Sequence, residues 1–308
     1  MKIAVIGVGG VGGYYGAVLG RRGHEVSLIA RGAHLVAIQA NGLQIRSALG
    51  DFSIRPGRAT DTPAEVGAVD LVLFCTKAYD TASAAEAARP LVGPSTTVVS
   101  LQNGLDAREQ IGAVLGLEHM LTGMTGIMTS VQSPGIIRME SKSPWITVGE
   151  LDGKLTPRAR AFREAFDGTG VEIEISERIM AELWGKLMIV APLAAFGSLT
   201  RLTVGDYRSI PETRAQIMRF RQEIADLAAA EHWELAADAV EETMAGMDAL
   251  PPTWKASMQR DVEAGRRSEL EATIGVICRK GRSRGIATPV ADMLYGSLLP
   301  ADLLTRAP

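Results

Sequence analysis

The sequence predicts an α/β protein in which a doubly wound parallel sheet is followed by an all-helical domain. Short β-branched, apolar runs alternate with helical segments through the first half of the chain, which is typical of a parallel sheet with helices on both faces. A glycine-rich turn follows the first of these runs. After Glu177 helical periodicity dominates, so we expect one domain over residues 1–176 and a second over residues 177–308.

Each predicted strand is a short apolar run bounded by turn residues. Strands are expected at residues 2–6, 24–31, 69–77, 145–150 and 171–176, with another strand that ends in a loop over residues 95–104 and further β-rich segments over residues 119–139. Helices are expected at residues 14–23, 82–91 and 155–166. The alternating pattern of residues 171–176 is typical of an edge strand. In the second half, turn signals occur near residues 205–206, 250–252, 285 and 288–289.

The composition limits the class of protein. Hydrophobic residues make up 46% of the 308 residues, which is enough for a sizeable core. A net charge of -3 argues against a nucleic-acid or anionic-membrane partner. Cys75 and Cys278 are far apart in the sequence and form no recognisable disulfide or metal framework, so we expect a reducing, cytoplasmic location.

No segment of the sequence predicts targeting or membrane insertion. The apolar N-terminus is short and glycine-rich, unlike a signal sequence. The stretch Leu187–Leu199 contains Pro192 and is shorter than the roughly 20 apolar residues that a spanning helix needs. We therefore expect this stretch to form a buried helix.

The strongest motif is a G-x-G-x-x-G turn that follows the first strand and opens a helix. It consists of Gly7, Val8, Gly9, Gly10, Val11 and Gly12. In this context the first glycine permits a tight turn, the second lets the backbone approach a pyrophosphate, and the third allows close helix–strand packing. The helix N-terminus then offers free N–H groups to phosphates. The motif predicts a Rossmann-type dinucleotide site, and the alternative is a glycine-rich turn without a ligand.

The end of the second strand bears on the choice of cofactor. NAD sites commonly place an acidic residue about twenty residues after the glycine motif, on the ribose 2′-hydroxyl. Here the strand ends in Ala30-Arg31 without an acid. Because a guanidinium suits phosphate geometry, we expect Arg31 to bind the 2′-phosphate of NADP. The alternative is a solvated surface arginine.

Further motifs accompany the glycine turn along the chain. They are Lys77-Ala78-Tyr79, Gln102-Asn103-Gly104, Leu183-Trp184-Gly185-Lys186, Ser198-Leu199-Thr200-Arg201, Val204-Gly205-Asp206, Ser257-Met258 and Ser268-Glu269-Leu270-Glu271. With these motifs the sequence resembles the ketopantoate reductase family over nearly its whole length. Many dehydrogenases share the glycine motif, whereas the Trp-x-Lys helix combined with the Ser-Glu segment is much more specific.

This resemblance implies a two-domain enzyme that reduces the 2-oxo group of ketopantoate with NADPH and so makes pantoate for coenzyme A. By the same resemblance Lys186 would be the proton donor, and Glu269 would contact the cofactor or substrate and organise that lysine. Asn103 would lie beside the nicotinamide and the substrate, and Ser257 would bind the substrate carboxylate. The partner is then a small 2-oxo acid.

The resemblance also places two residues near the cofactor. Lys77 would lie near the nicotinamide ribose, and Thr129 falls where the family has a backbone contact to the cofactor. Lys77 and Asn103 each lie at the carboxyl end of a predicted parallel strand, and ligands bind at the carboxyl ends of such strands. Taken alone, Asn103-Gly104 is also an ordinary turn.

The sequence departs from the family at two positions. The family typically has asparagine four and eight residues after the catalytic lysine, whereas this chain has Val190 and Ala194. Both positions fall on the helix face that carries Lys186. Because a site built to pair a hydroxyl discriminates through that pairing, a pocket lined by Val190 and Ala194 would favour a less oxygenated 2-oxo acid or another ketone.

The residues considered alone leave simpler interpretations open. Lys186 begins an apolar run, where an ammonium needs a partner or water, and it could instead snorkel from a helix end. Glu269 could be a solvated helical residue paired with Arg266 at i,i+3 spacing. Ser257 could be an ordinary helix-surface serine. The four histidines do not cluster, and no paired cysteines or H-E-x-x-H motif predicts a metal site.

Three functions follow from these observations. The first is an NADPH-dependent 2-oxo acid reductase, either ketopantoate reductase or a close paralogue with an altered pocket. The second is another two-domain dehydrogenase of the hydroxy-acid or opine type, which the placement of Lys186, Ser257 and Glu269 disfavours. The third is a non-catalytic NADP-binding sensor, which would not need a proton donor. The apolar helical half is also a candidate homodimer interface.

Overall fold

The computed structural model describes residues 1–306, and tertiary contacts divide them into two compact units. Unit 1 comprises Met1–Asn103 and Ala107–Ile179. Unit 2 comprises the short segment Gly104–Asp106 and everything described from Met180 onward. Unit 1 is α/β and unit 2 is helical, which confirms the predicted fold class.

Unit 1 contains an eight-stranded sheet and a four-stranded sheet. The strands are β1 (Lys2–Ile6), β2 (Glu25–Ile29), β3 (Leu43–Ser47), β4 (Phe52–Ile54), β5 (Arg58–Thr60), β6 (Val69–Phe74), β7 (Val92–Ser100), β8 (Met120–Gly126), β9 (Thr129–Ser133), β10 (Ile136–Met139), β11 (Trp145–Gly149) and β12 (Glu172–Ile175). The large sheet has the order β12-β11-β8-β7-β6-β1-β2-β5. The six neighbouring strands β8, β7, β6, β1, β2 and β5 are mutually parallel, and β11 is antiparallel to β8. The strand at residues 172–175 is an edge strand, as its alternation predicted.

Both faces of the large sheet are covered by helices. The helices of unit 1 are α1 (Gly10–Arg21), α2 (Gly32–Asn41), α3 (Thr81–Ala88), α4 (Ala107–Leu115) and α5 (Pro157–Ala165). In β1, Ile3 and Val5 join the core that contains α1 and α5, whereas Ala4 and Ile6 join the core that contains α3 and α4. This alternation of buried side chains to two faces is the pattern of a doubly wound sheet.

The four-stranded sheet, in the order β4-β3-β10-β9, was not predicted. Its strands are three to five residues long and carry many polar residues, so their periodicity is weak. Strand β3 pairs in parallel with β10, which lies far along the chain. Only this long-range pairing completes the sheet.

Several predicted strands extend too far at their carboxyl ends. Strand β6 ends at Phe74, whereas residues 69–77 were expected, and β7 ends at Ser100, within the segment 95–104 that was expected to be a strand ending in a loop. The next amides still bond to the neighbouring strand, since Cys75 N–H donates to Ile6 C=O at 2.8 Å and Leu101 N–H donates to Phe74 C=O at 3.0 Å. The backbone then leaves the sheet as loops at its carboxyl edge.

Unit 2 consists of helices joined by short loops. They are α6 (Ile179–Thr200), α7 (Val204–Arg208), α8 (Pro211–Ala230), α9 (Ala239–Ala249), α10 (Ser257–Glu263), α11 (Val276–Arg284) and α12 (Pro289–Leu304). A π-helical turn, Glu271–Gly275, precedes α11. The turn expected near residues 205–206 lies slightly earlier, between the end of α6 at Thr200 and the start of α7 at Val204, and Asp206 closes a capping box with Thr203 that begins α7.

Helix α6 is the apolar helix expected around Pro192. Within residues 1–306 it is the one helix long and apolar enough to cross a membrane, but 72% of that window is buried inside the protein. Pro192 has no N–H to donate to Met188 C=O, the acceptor one turn earlier. Arg221 on α8, which is fully buried, donates its Nε–H to that carbonyl at 3.1 Å. The helix therefore passes through its proline with this carbonyl satisfied.

Candidate functional site

The glycine motif forms the tight turn that connects β1 to α1. Gly7 adopts a φ of +87°, and a Cβ built there would lie 2.6 Å from the backbone nitrogen of Thr76. A Cβ at Gly12 would collide with the carbonyl of Gly7 and lie 2.8 Å from Cβ of Cys75. At Gly9, by contrast, a Cβ would meet nothing within 4 Å. The motif thus packs tightly on its inner side and is open at Gly9.

The N-terminus of α1 has the features of an anion site. Its N-cap residue is Gly9, which has no side chain to cap the helix, and no acidic residue occurs in the first turn. The first-turn N–H groups of any helix lack intrahelical acceptors, and the helix dipole favours negative charge there. The open space at Gly9 lets a phosphate approach these groups, so the residues present fit a dinucleotide pyrophosphate.

Thr129 lies directly against the glycine motif. It begins β9 in the four-stranded sheet, and a Cβ at Gly10 would lie 2.5 Å from its Oγ1. Helix α1 is in fact held between both sheets. Gly16 faces Val5 in the large sheet, and Gly13 faces Ile137 in the small one. The second sheet therefore positions Thr129 beside the expected phosphate site.

A cavity of about 370 Å³ lies beside this motif in unit 1. It is lined by Ile6, Gly7, Val8, Ile29, Ala30, Arg31, His34, Asp61, Pro63, Thr76, Ser83, Ala84, Ala87 and Val131. Half of the lining residues lie at the carboxyl ends of β1, β2 and β6, where open α/β sheets bind nucleotides. The mixture of apolar side chains and a few polar groups is typical of a small-molecule site.

Arg31 lies at the edge of this cavity and pairs with an acidic residue. Its Nη2 is 3.1 Å from Oδ2 of Asp80, with 76% of the Arg31 side chain and 33% of the Asp80 side chain exposed. Arg31 is thus neither an isolated solvated arginine nor a free phosphate ligand. Asp80 closes the short turn Ala78–Asp80 after β6, and sequence reasoning did not select it.

Gln102 is a second residue that the sequence did not identify as part of a site. Its side chain is buried, accepts from Ser100 Oγ at 3.1 Å, and donates to Thr76 C=O at 3.0 Å and to Thr81 Oγ1 at 2.9 Å. These bonds join the loop after β7 to the loop after β6. Asn103, which follows, is half-buried. Gln102 therefore fixes the backbone from which Asn103 projects.

The Lys77 backbone begins the turn after β6, with extended dihedrals of φ −63° and ψ 144°, and its side chain is half-buried.

The loop after Asn103 packs against residues of unit 2. Gly104 has a φ of +96°, and a Cβ there would lie 2.7 Å from the carbonyl oxygen of Ala272 in unit 2. Asp106 pairs with Arg279 of α11 at 3.2 Å. Close backbone approach thus requires glycine immediately after Asn103.

Lys186 lies in the middle of the apolar helix α6 of unit 2 and is half-buried. Burial lowers its pKa to about 8, and the negative charge of Glu269 opposes that shift. Glu269 is itself only 6% exposed. The structure therefore brings the two predicted catalytic residues into electrostatic contact within one unit. An amine with this pKa can hold and release a proton near neutral pH.

The segment that carries Glu269 is tied to the last helix. Ser268 donates from both its N–H, at 3.1 Å, and its Oγ, at 2.6 Å, to the buried carboxylate of Asp302. The π-helical turn follows immediately, and such turns often occur at functional sites. The alternative pairing of Glu269 with Arg266 is wrong, because Glu269 is buried and Arg266 binds Asp261 at 2.8 Å.

The predicted substrate residues of unit 2 differ in exposure. Val190 is half-buried and Ala194 is only 1% exposed, both on α6 with Lys186. Ser257 is the first residue of α10 and is exposed. Its surroundings in unit 2 therefore do not by themselves indicate a substrate-binding role. Across residues 1–306, no group of three or more His, Cys, Asp or Glu side chains is arranged to hold a metal ion.

Comparison with known proteins gives matches along nearly the whole chain. The family model described as Ketopantoate reductase PanE/ApbA matches residues 3–153, and its C-terminal counterpart matches residues 178–300. The chain is 32% identical over 303 residues to a 2-dehydropantoate 2-reductase of Caulobacter vibrioides, covering 98% of this chain and 99% of that protein.

Solved structures give the same result. The crystal structure of a PanE/ApbA family ketopantoate reductase from Ralstonia eutropha JMP134 superposes with a TM-score of 0.92 at 30% identity, covering 100% of both chains. A ternary structure of D-mandelate dehydrogenase with NADH and anilino(oxo)acetate has a TM-score of 0.91 at 22% identity, also covering 100% of both chains. At that lower identity the similarity concerns the fold.

Proposed function

The chain belongs to the ketopantoate reductase family of oxidoreductases, and from this membership we propose that it reduces a 2-oxo acid to a 2-hydroxy acid with NADPH. The observation that carries the proposal is the half-buried Lys186 ammonium, whose pKa burial lowers to about 8 beside the carboxylate of Glu269. A nucleotide-binding unit by itself has no need of such a group. The lysine provides the proton that ketone reduction consumes.

Each unit supplies part of the proposed reaction. The N-terminus of α1 and the space at Gly9 would hold the pyrophosphate, with Thr129 packed beside Gly10 and Lys77 at the start of the turn after β6. When bound, reduced nicotinamide supplies the hydride. Asn103 and Ser257 orient the substrate in this proposal, as the family resemblance implies.

Lys186 performs the acid step. Its ammonium donates a hydrogen bond to the substrate carbonyl oxygen, stabilises the negative charge that develops there, and gives up a proton to it. Glu269 raises the lysine pKa against the effect of burial and so keeps the group charged at neutral pH. Reduction therefore slows as the pH rises through about 8, because the neutral amine has no proton to give at that stage.

The side chain of the substrate is proposed to be apolar. Val190 and Ala194 occupy the α6 positions where the family carries amides, and Ala194 is buried. A pocket without those amides leaves a substrate hydroxyl unpaired, which disfavours hydroxylated substrates. The preferred 2-oxo acid then lacks the hydroxyl of ketopantoate. A role in pantothenate biosynthesis depends on ketopantoate being reduced efficiently as well.

The test is NADPH oxidation with a panel of 2-oxo acids that includes ketopantoate and 3,3-dimethyl-2-oxobutanoate, which has a methyl group in place of the hydroxymethyl group. We expect a higher kcat/KM for the second compound. Nucleotide binding without turnover of any 2-oxo acid would instead favour a non-catalytic sensor. If only 3-hydroxy acids, or only 2-oxo acids combined with an amino acid, were turned over, the result would favour a dehydrogenase of the hydroxy-acid or opine type.

A pair of variants tests the pocket assignment. Val190→Asn restores an amide on the Lys186 face of α6 and should shift the preference toward ketopantoate by about tenfold, the scale of one partly exposed hydrogen bond (~1.4 kcal/mol). Ile189→Asn makes the same kind of change at the neighbouring residue, which is 37% exposed, and should leave the preference unchanged. Equal shifts in substrate preference in the two folded variants would mean that Val190 does not line the substrate pocket.

A further inference from the structure

The ion pair between Arg31 and Asp80 lies at the carboxyl edge of the large sheet, and Arg31 also lines the proposed nucleotide cavity. Strand β1 lies between β2 and β6 in the sheet. Arg31 follows the end of β2, and Asp80 closes the turn after β6. Their contact, 3.1 Å from Nη2 to Oδ2, therefore crosses the sheet edge above the point where Gly7 begins the glycine motif.

The same guanidinium is the expected ligand of the cofactor 2′-phosphate. Arg31 lines the cavity together with Gly7, Val8 and Ile29, whereas the end of β2 carries no acid that would bind a ribose hydroxyl. A phosphate at Arg31 would thus meet a cation that is already paired with a carboxylate. Two anionic groups would share one positive charge, and like charges at such separation repel each other.

We propose that Asp80 is a specificity-determining residue of the nucleotide site, because its carboxylate competes with the 2′-phosphate for Arg31. This inference rests on the proposed function, which supplies the nucleotide. The exposed pair is weak enough for a phosphate to displace it. Asp80 therefore lowers the affinity for 2′-phosphorylated nucleotides and leaves that for the unphosphorylated forms nearly unchanged. The chain should discriminate between NADPH and NADH less strongly than Arg31 alone would permit.

Substitution of Asp80 tests this inference by direct binding. Dissociation constants for NADPH and NADH are measured by fluorescence titration, and those for adenosine 2′,5′-bisphosphate and AMP by calorimetry. Asp80→Asn should tighten binding of the 2′-phosphorylated compounds about two- to fivefold, the range expected when an exposed ion pair is removed. Binding of NADH and AMP should change little. Both residues of the pair are partly exposed, so the variant keeps the fold.

Two further variants separate pairing from general charge. Glu86→Gln removes one negative charge from α3, the helix that follows Asp80, without touching the Arg31 pair, because Glu86 pairs with Arg89 at 2.6 Å; it should not alter the NADPH-to-NADH ratio. In an Arg31→Ala background, Asp80→Asn should lose its selective effect. An equal gain in either control would overturn the inference, because the effect would then be ordinary charge repulsion.

The remaining outcomes are also decisive. Weaker NADPH binding in Asp80→Asn would mean that Asp80 orients Arg31 for the phosphate, which contradicts competition. Unchanged affinities in a protein that binds NADPH tightly would overturn this inference alone. Absence of nucleotide binding in the unaltered protein would overturn the proposed function and the inference together.

Discussion

Helices α1 and α6 are both buried and both carry proposed functional groups, but they provide them in opposite ways. Helix α1 is rich in glycine and offers its backbone, because its N-terminal N–H groups and the space at Gly9 form the proposed anion site. Helix α6 is bulky and apolar and offers one side chain, Lys186. A backbone site requires the absence of side chains, whereas a side-chain site requires an environment that adjusts its pKa.

The two helices also differ in what supports them. The glycines of α1 face neighbours in both sheets of unit 1, among them Thr129 and Ile137, but the backbone N–H groups proposed to bind the phosphates belong to the motif itself. In α6, Met188 C=O is satisfied by Arg221, which is 33 residues away in the sequence. The pKa of Lys186 depends on Glu269, which is further along still. Local sequence thus supplies the functional groups of the first site, whereas the charge partner that adjusts the second is distant in the sequence.

The largest expected effect comes from removing the side chain of α6. Lys186→Ala should lower kcat by roughly 10²–10⁴-fold, the scale of general acid–base catalysis, while the dissociation constant for NADPH changes little. Lys280→Ala is the matched control, since Lys280 belongs to the same unit but pairs with Glu231 at 2.9 Å. Comparable turnover in the two variants would exclude Lys186 as the acid.

Two alanine substitutions test whether α1 acts through its backbone. Gly12→Ala places a Cβ against the Gly7 carbonyl and should lower the free energy of unfolding by about 1–3 kcal/mol. Gly9→Ala meets no neighbour within 4 Å, so the unfolding free energy should stay close to that of the unaltered protein. NADPH affinity should nevertheless fall about tenfold or more (~1.4 kcal/mol). Unchanged NADPH binding in Gly9→Ala would contradict the placement of the pyrophosphate.

The support of α6 can be measured by a double-mutant cycle between Arg221 and Pro192. Arg221→Met removes the donor to Met188 C=O, and Pro192→Ala restores an N–H one turn away. The cost of Arg221→Met should therefore be smaller by about 1 kcal/mol in the Pro192→Ala background, the net worth of one hydrogen bond. Urea unfolding gives each free energy. Additive effects would show that the two residues do not share this carbonyl.

The smallest effect concerns the charge beside Lys186. Glu269 raises the lysine pKa against burial, so Glu269→Gln should move the alkaline limb of the pH–rate profile, expected near pH 8, to lower pH. Glu271→Gln is the control, because Glu271 pairs with Arg279 at 2.9 Å and Arg306 at 3.1 Å. If the alkaline limb stayed in place in Glu269→Gln, or moved equally in both variants, Glu269 would not be the residue that raises the pKa of Lys186.

The sequence by itself determined the α/β class, the glycine turn after β1 and the apolar helix around Pro192, because these depend on local periodicity and on glycine at fixed spacing. The family resemblance supplied Lys186 and Glu269. Only the tertiary structure revealed the four-stranded sheet, whose short polar strands carry little local signal.

The tertiary structure also decided which partners complete each site. The pairing of Arg31 with Asp80, the bonds of Gln102 and the donation from Arg221 to Met188 all join residues that are distant in the sequence. A side chain such as Arg31 or Glu269 has the same chemical type whether it is solvated or buried. Its charge partners, and hence its pKa and its availability to a ligand, follow from long-range packing that no local pattern encodes.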